Sequence, residues 1–269
     1  MFGKLVTINL DKRDEVIHLE PIGDPHVGHI GFQKDMYVDR IKSIMRQKNR
    51  FTIYMGDQVD FINPLDKRWQ AGSVTILSKD DQRKKWQEIN QPLLDYNAKE
   101  IDKGNNLKIW GLLAGNHEYK VIDQSYIINQ FCEPNKLTYL GSKAMIGLDI
   151  KYKGKTIRRW KLFVAHGAGG GANPLTALEQ MKVNHIADVY LMGHLHNKLY
   201  KGERVVDFNF SEGGVVYRDI GLGNTGTFCE TYTDGVDGYM DRKNKVVPAK
   251  LGTITVSFDA YQGKIHGHE

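Results

Sequence analysis

The stretch Phe51-Thr52-Ile53-Tyr54-Met55-Gly56-Asp57-Gln58-Val59-Asp60 passes from an apolar, β-favouring run into a glycine and a cluster of polar side chains. Such a run reads as a buried strand, and Gly56 marks its exit. Upstream, Glu15 to Ile22 reads as a second strand. Between the two, from Gln33 to Lys48, Met36, Ile41, Ile44 and Met45 recur at helical spacing among charges. Strand, helix and strand with short connections predict parallel pairing and an α/β fold. Ligand sites in such folds lie beyond the carboxyl ends of the strands, where Asp57 stands.

The same design repeats along the chain. Leu107 to Ala114 opens onto Gly115-Asn116-His117-Glu118, and Leu162 to Ala165 onto His166-Gly167. Val189 to Met192 opens onto Gly193-His194-Leu195-His196, and the first strand leads to Asp24-Pro25-His26. These stretches supply carboxylate, imidazole and amide groups, which suit divalent metals of intermediate hardness. Pro25 is expected to hold Asp24 extended. Side chains two apart then point the same way, so Asp24 and His26 can reach one ion. Singly, each stretch has a plainer explanation as a polar turn, a helix cap or a hydrogen-bonded histidine. Five in a row, each following a strand, favour a two-metal hydrolytic centre.

The order D-x-H, G-D-x-x-D, G-N-H-E, H-G, G-H-x-H resembles the calcineurin-like metallophosphoesterase superfamily over Asp24 to His196. The resemblance implies two facing mixed β-sheets flanked by helices, a four-layer α/β/β/α sandwich with the metals at one edge. It implies Asp24, His26 and His196 as ligands of one ion and Asn116, His166 and His194 as ligands of the other. Asp57 would bridge the two, its two oxygens serving two ions. Asp60 is expected to hydrogen-bond a ligand rather than bind metal, and Glu118 to orient His117. His117 would face the substrate phosphate and stabilise or protonate the leaving oxygen. Manganese is the usual ion in similar enzymes, and iron, zinc, nickel and cobalt also fit the donor set. A pair of cations about 3.5–4 Å apart neutralises a phosphoester and activates a shared water for in-line attack on phosphorus.

The implied activity is phosphoester hydrolysis by a metallophosphoesterase. The Asp24-Pro25-His26-Val27-Gly28 form resembles the DNA-repair nuclease branch, although the chain lacks room for that branch's additional DNA-binding domain. A phosphodiesterase acting on nucleotides or nucleic acid is therefore expected, with a phosphomonoesterase, including a protein phosphatase, as the alternative. His196 argues against the eukaryotic serine/threonine phosphatases, which lack the second histidine. A non-catalytic binding scaffold with this fold ranks lower, because every ligand position and His117 is filled.

The chain has 269 residues, which suits one large domain or two small ones, and a single domain over 1–269 is expected; 37 basic and 32 acidic side chains give a net charge of +5. So small an excess fits an ordinary surface and permits an anionic substrate. Cys132 and Cys229 make neither a disulfide framework nor a zinc spacing, so a reducing cytoplasm is expected. No apolar run approaches a membrane span, and Met1 to Asp11 lacks the core of a signal peptide.

Residues 61–106 read as a helical insert, with a helix from Asp80 to Lys103. Two roles stay open for it: a layer over the sheet, or a contact to substrate. Ile122 to Phe131 reads as a helix and Leu137 to Leu140 as a short strand. Lys143 to Tyr152 and Lys155 to Ala165 read as a hairpin turning at Lys153-Gly154, and a helix is expected from about Pro174 to Asn184. The hairpin carries Lys151, Lys153, Lys155, Arg158, Arg159 and Lys161, a weak candidate for nucleic-acid contact. From about 199 onward the chain is expected to form a β-rich second sheet facing the first. Gly167 to Gly171 reads as backbone clearance beside His166, and 225–245 as either a lid or an ordinary loop. His18, His185, His266 and His268 are expected to be structural; for His29, close behind Asp24-Pro25-His26, a structural role is favoured over the alternative of substrate contact.

Overall fold

The computed structural model describes residues 1–66, 68–167, 173–233, 236 and 248–269. The strand–helix–strand unit opens one sheet: β2 (Val16–Leu19), α1 (Lys34–Arg46) and β3 (Arg50–Tyr54), with β2 and β3 parallel. The sheet continues through β4 (Ile109–Leu112), parallel to β3. On its other side β10 (Thr255–Asp259) pairs antiparallel with β2, and β11 (Lys264–His268) with β10.

The second sheet has the order β1-β5-β6-β7-β9-β8. It comprises β1 (Phe2–Leu10), β5 (Lys143–Tyr152), β6 (Lys155–Ala165), β7 (Val189–Met192), β8 (Lys198–Asn209) and β9 (Gly214–Thr225). β6, β7 and β9 run parallel to one another, whereas β5–β6 and β8–β9 are antiparallel hairpins. Both sheets are therefore mixed.

Three apolar clusters set the layers. Ile8, Leu148, Leu162 and Leu191 of one sheet and Ile17, Phe51, Ile53 and Phe258 of the other share one buried core between the sheets. α1 and α2 (Lys79–Asp102) cover the outer face of the β2–β3–β4 sheet through Tyr37, Ile41, Trp86 and Leu93. α5 (Pro174–Asn184) covers the other sheet through Leu178, against Phe163 and Tyr190. The result is the expected helix, sheet, sheet, helix sandwich.

Several local expectations change. The C-terminal half does not build a sheet of its own: β8 and β9 extend the β6–β7 sheet, while β10 and β11 return to β2. The alternation seen in the sequence specifies strands but not partners. Leu137 to Leu140 contributes only a single bridge, Tyr139 to Leu112. The helix expected at Ile122 to Phe131 is a short α4 (Gln124–Ile127), capped by Asp123 and running into a π turn at Ile128–Cys132. β1 and β11, unread in the sequence, are edge strands, and His266 and His268 lie in β11. Cys132 and Cys229 are both buried. Among the described residues no helix is long and apolar enough to cross a membrane.

Candidate metal centre

The parallel strands β2, β3 and β4 of one sheet and β6 and β7 of the other end at the same rim. Their loops meet there: His166 Nδ1 lies 2.9 Å from the Met55 carbonyl, and the Asp24 carboxylate accepts the His194 backbone N–H at 2.9 and 3.1 Å. The backbone is forced to turn these side chains inward. Asp24, His26, Asp57, His194 and His196 all have φ between 47° and 69°, a left-handed region that non-glycine residues rarely occupy. Strain of this kind persists only where the surroundings over-determine it, and it gathers at functional sites. The extended geometry expected for Asp24 is therefore wrong. Its N–H is drawn to the Gly56 carbonyl at 3.1 Å, and this contact together with the His194 N–H fixes the twisted form.

Glycines give the loops room. A Cβ on Gly56, at φ 93°, would lie 2.5 Å from His166 Nδ1, and one on Gly115 would lie 2.1 Å from Asp57 Oδ1. The sequence signal of glycine after strand thus has a steric cause.

Two donor groups flank Asp57 Oδ2: Asp24, His26 and His196 form one, and Asp57, His166 and His194 the other, while a third grouping, His26 with Asp60 and His117, overlaps the first at His26. In the first, His26 Nε2 and His196 Nε2 are 3.1 Å apart, and His196 Nε2 is 3.5 Å from Asp24 Oδ1. In the second, His166 Nε2 is 3.3 Å from Asp57 Oδ2 and 3.1 Å from Asn116 Oδ1. Asp57 Oδ2 also lies 3.9 Å from His26 Nε2, so one carboxylate oxygen faces both groups. The other, Oδ1, accepts the His117 backbone N–H at 2.8 Å. Oδ2 is thus the Asp57 oxygen that faces both groups, while Oδ1 also holds the loop of His117.

These donors fit divalent ions. Atoms bound to one ion at about 2.0–2.2 Å stand roughly 3.0–3.5 Å apart, as these do. Asp24, Asp57 and Asp60 are all at most 1 % exposed, and buried carboxylates need cations to offset their desolvation. Burial works against ionisation of Asp24 and Asp57, yet the imidazoles around them hold both below the usual carboxylate range. Burial would also lower His166, but the Asp57 charge overrides it and raises the imidazole to about 10. His26 is driven the other way by burial, to about 4. His26 Nδ1 faces Asp60 Oδ1 at 3.3 Å, which directs Nε2 toward the donor group.

The Glu118 carboxylate accepts backbone N–H groups from Gly115 at 2.7 Å, Asp57 at 3.0 Å, Gln58 at 2.7 Å and Val59 at 3.4 Å. From N3 of α3 (Asn116–Val121) it reaches back to the N-cap N–H of Gly115 and clamps the Asp57 loop to the Asn116 loop. Its hydrogen bonds hold the Asn116 loop and the Asp57 loop. From behind, α2 supports the same loop: Trp86 Nε1 donates to Gln58 Oε1, and Gln82 Oε1 accepts the Phe61 N–H.

His117 Nε2 lies 4.0 Å from Asp57 Oδ2, at the edge of the second group. Its Nδ1 donates to the Asp60 carbonyl at 2.5 Å, and its Nε2 accepts from Arg68 Nη1 at 2.8 Å. Burial above all, opposed by Asp57, pushes this imidazole down to about 4. Sequence reasoning missed Arg68, which sits in the insert with no motif around it. The only available signal was that the insert leaves directly from the Asp57 loop. The insert divides in two: α2 covers the sheet, while the segment before it lies along the site, with Ser73 and Val74 paired to Ile30 and His29.

His29 itself is occupied by local contacts, to the Gly31 N–H at 3.0 Å and Cys229 Sγ at 3.3 Å. The basic hairpin turns at the far end of β6 from His166. Arg158 is seven residues, about 20 Å, from Ala165, the last residue of the strand. Arg159 and Lys151 pair with Asp149. Most of the glycine run after Gly167, and most of 225–245, lie outside the described residues.

No family model matches the chain, and no curated protein does. Among solved structures it is similar to a predicted phosphoesterase from Streptococcus pneumoniae, at 11% identity and TM-score 0.36, covering 94% of this chain and 98% of that one. It is also similar to zinc-complexed Vps29 from Entamoeba histolytica, at 12% identity and TM-score 0.37, over 94% and 97% of the two chains. A metallophosphoesterase from Sphaerobacter thermophilus gives 12% identity and TM-score 0.40, over 94% and 88%. These likenesses are slight, and the reading below stands on the side chains.

Proposed function

We propose that the chain is a calcineurin-like metallophosphoesterase, a two-metal hydrolase of phosphodiesters in nucleotides or nucleic acid. The observation that carries this is Asp57 Oδ2 facing two separate donor groups, 3.9 Å from His26 and 3.3 Å from His166. Asp24, His26 and His196 would hold one ion, Asn116, His166 and His194 the other, and Asp57 both. The ions, when bound, supply Lewis-acid polarisation of the phosphoester and activation of a water.

The chain's own residues do the rest. Glu118 and Asp60 fix the Asp57 loop and the His26 ring before any substrate arrives, so little reorganisation is needed during reaction. The insert segment around Arg68 closes one side and limits water at the donors. His117 and Arg68 stand beside the bridging oxygen, where a phosphoryl group would lie. Hydrolysis adds water to phosphorus and releases the ester oxygen as an alcohol. A diester carries a single negative charge, which suits a site with few cationic side chains beyond the metals.

The test combines elemental analysis with a substrate panel in manganese: aryl mono- and diesters, cyclic nucleotides, and single- and double-stranded DNA. Two equivalents of metal and preferential cleavage of a diester are expected. Preference for monoesters would replace the diesterase reading, and metal binding without turnover would favour a scaffold.

A further inference from the structure

We propose that Arg68 grips the substrate phosphate, with His117 as the residue that positions it. This rests on the phosphoester reading above.

The hydrogen-bond roles at His117 are set by its neighbours. A backbone carbonyl can only accept, so the proton of the imidazole sits on Nδ1, facing Asp60. A guanidinium can only donate, so Nε2 carries a lone pair facing Arg68. In this arrangement His117 has no proton to offer a leaving oxygen. Arg68 places a permanent positive charge beside the bridging position. Its Nη1 is 2.8 Å from His117 Nε2, which is itself 4.0 Å from Asp57 Oδ2, so the guanidinium lies no further from that oxygen than those two steps together.

Arg68 is built in rather than loosely placed. The residue is 5 % exposed, and Asp66 takes Nε at 3.0 Å and Nη2 at 2.6 Å in a fork. Asp66 and His117 use three of the five N–H donors. One N–H on each terminal nitrogen remains without a partner among the described residues. Two such N–H groups on a planar, permanently charged fork match two oxygens of a phosphate. Burying a guanidinium at a site rim is costly, and a covering layer would be served as well by an apolar side chain. The insert therefore contacts substrate through Arg68 and covers the sheet through α2.

The experiment uses the full chain loaded with manganese. Hydrolysis of bis(4-nitrophenyl) phosphate, inhibition by inorganic phosphate and metal content are measured for the parent and for Arg68→Met, which keeps bulk but removes the charge. Arg68→Met should retain two equivalents of metal, lose about 10²–10³-fold in kcat/KM, as removing one oxyanion donor does, and be inhibited far less by phosphate. Arg68→Lys, which keeps charge without the fork, should fall between and carries the test if Arg68→Met does not fold. Parent-like turnover and phosphate inhibition in Arg68→Met would overturn the inference alone. Loss of metal along with turnover would make Arg68 structural and would also overturn it. A parent that hydrolyses no phosphoester yet binds phosphate through Arg68 would remove the hydrolase reading and keep the inference. A parent that does neither would remove both.

Discussion

Asp57 and His117 are joined through the backbone: Asp57 Oδ1 accepts the His117 N–H at 2.8 Å, which leaves Oδ2 free to face both donor groups. This division predicts the outcome of Asp57→Asn. If the amide oxygen keeps the His117 N–H, the NH₂ group faces the ions and cannot ligate. If the amide flips, NH₂ meets a backbone N–H and the loop distorts. Either way affinity at both sites should drop sharply. Metal titration followed by elemental analysis checks it, and two equivalents held at parent affinity would refute a shared bridge through Oδ2.

Glu118→Gln should destabilise the chain even without metal. The carboxylate meets four N–H donors from two loops, and an amide replaces one of its acceptor oxygens with a donor facing them. Leaving buried donors unpaired costs about 1–3 kcal/mol each, with more for bonds to a charge. A loss of roughly 2–4 kcal/mol in urea unfolding of the metal-free protein is expected. An unchanged midpoint would show that the loops hold without the clamp.

The α/β class was legible because each buried strand ends in a polar loop, a local pattern that survives without knowledge of partners, while the sandwich came through the family resemblance that those loops carry. Strand partners were less legible. β8 and β9 alternate as any half-exposed hairpin does, and nothing in Lys198 to Thr225 says that β9 joins β7. In the site, residue types and order pointed to the donors because glycine and strand are sequence features. Backbone twist was hidden: Asp24 before Pro25 reads as extended, yet tertiary bonds from Gly56 and His194 hold it at φ 52°. Arg68 was invisible for a different reason. It comes to His117 from 49 positions away through a loop with no periodicity.

Lys108→Met serves as a control on the fold apart from the site. Lys108 is 3 % exposed, and its ammonium donates to the carbonyls of Gln47 at 2.6 Å, Lys48 at 2.9 Å and Arg50 at 2.9 Å, tying the end of α1 to β3 and the start of β4. Removing the donor should cost about 1–3 kcal/mol, seen as a lower midpoint in chemical denaturation. These contacts lie at the amino ends of the strands, opposite the donors, so metal stoichiometry should not change. Loss of metal in this variant would mean that the sheet and the site unfold as one unit.

His117→Ala separates two roles for the imidazole. The family resemblance implied that His117 stabilises or protonates the leaving oxygen, and a proton donor predicts a larger loss for a poor alkyl or nucleoside leaving group than for an activated aryl one. With Nε2 accepting from Arg68, the structure predicts the other pattern: similar losses for both leaving groups, because what is lost is the placement of a charge on the phosphate. Metal content should be retained. The pair should also be non-additive, since residues sharing one contact act as a unit. Once Arg68 is Met, removing His117 should cost little further rate. Rates for an aryl and a nucleoside diester in the two single variants and the double variant complete the cycle. Additive losses, or a loss concentrated on the nucleoside ester, would return the proton-donor role to His117 and require the Arg68 contact to break before reaction.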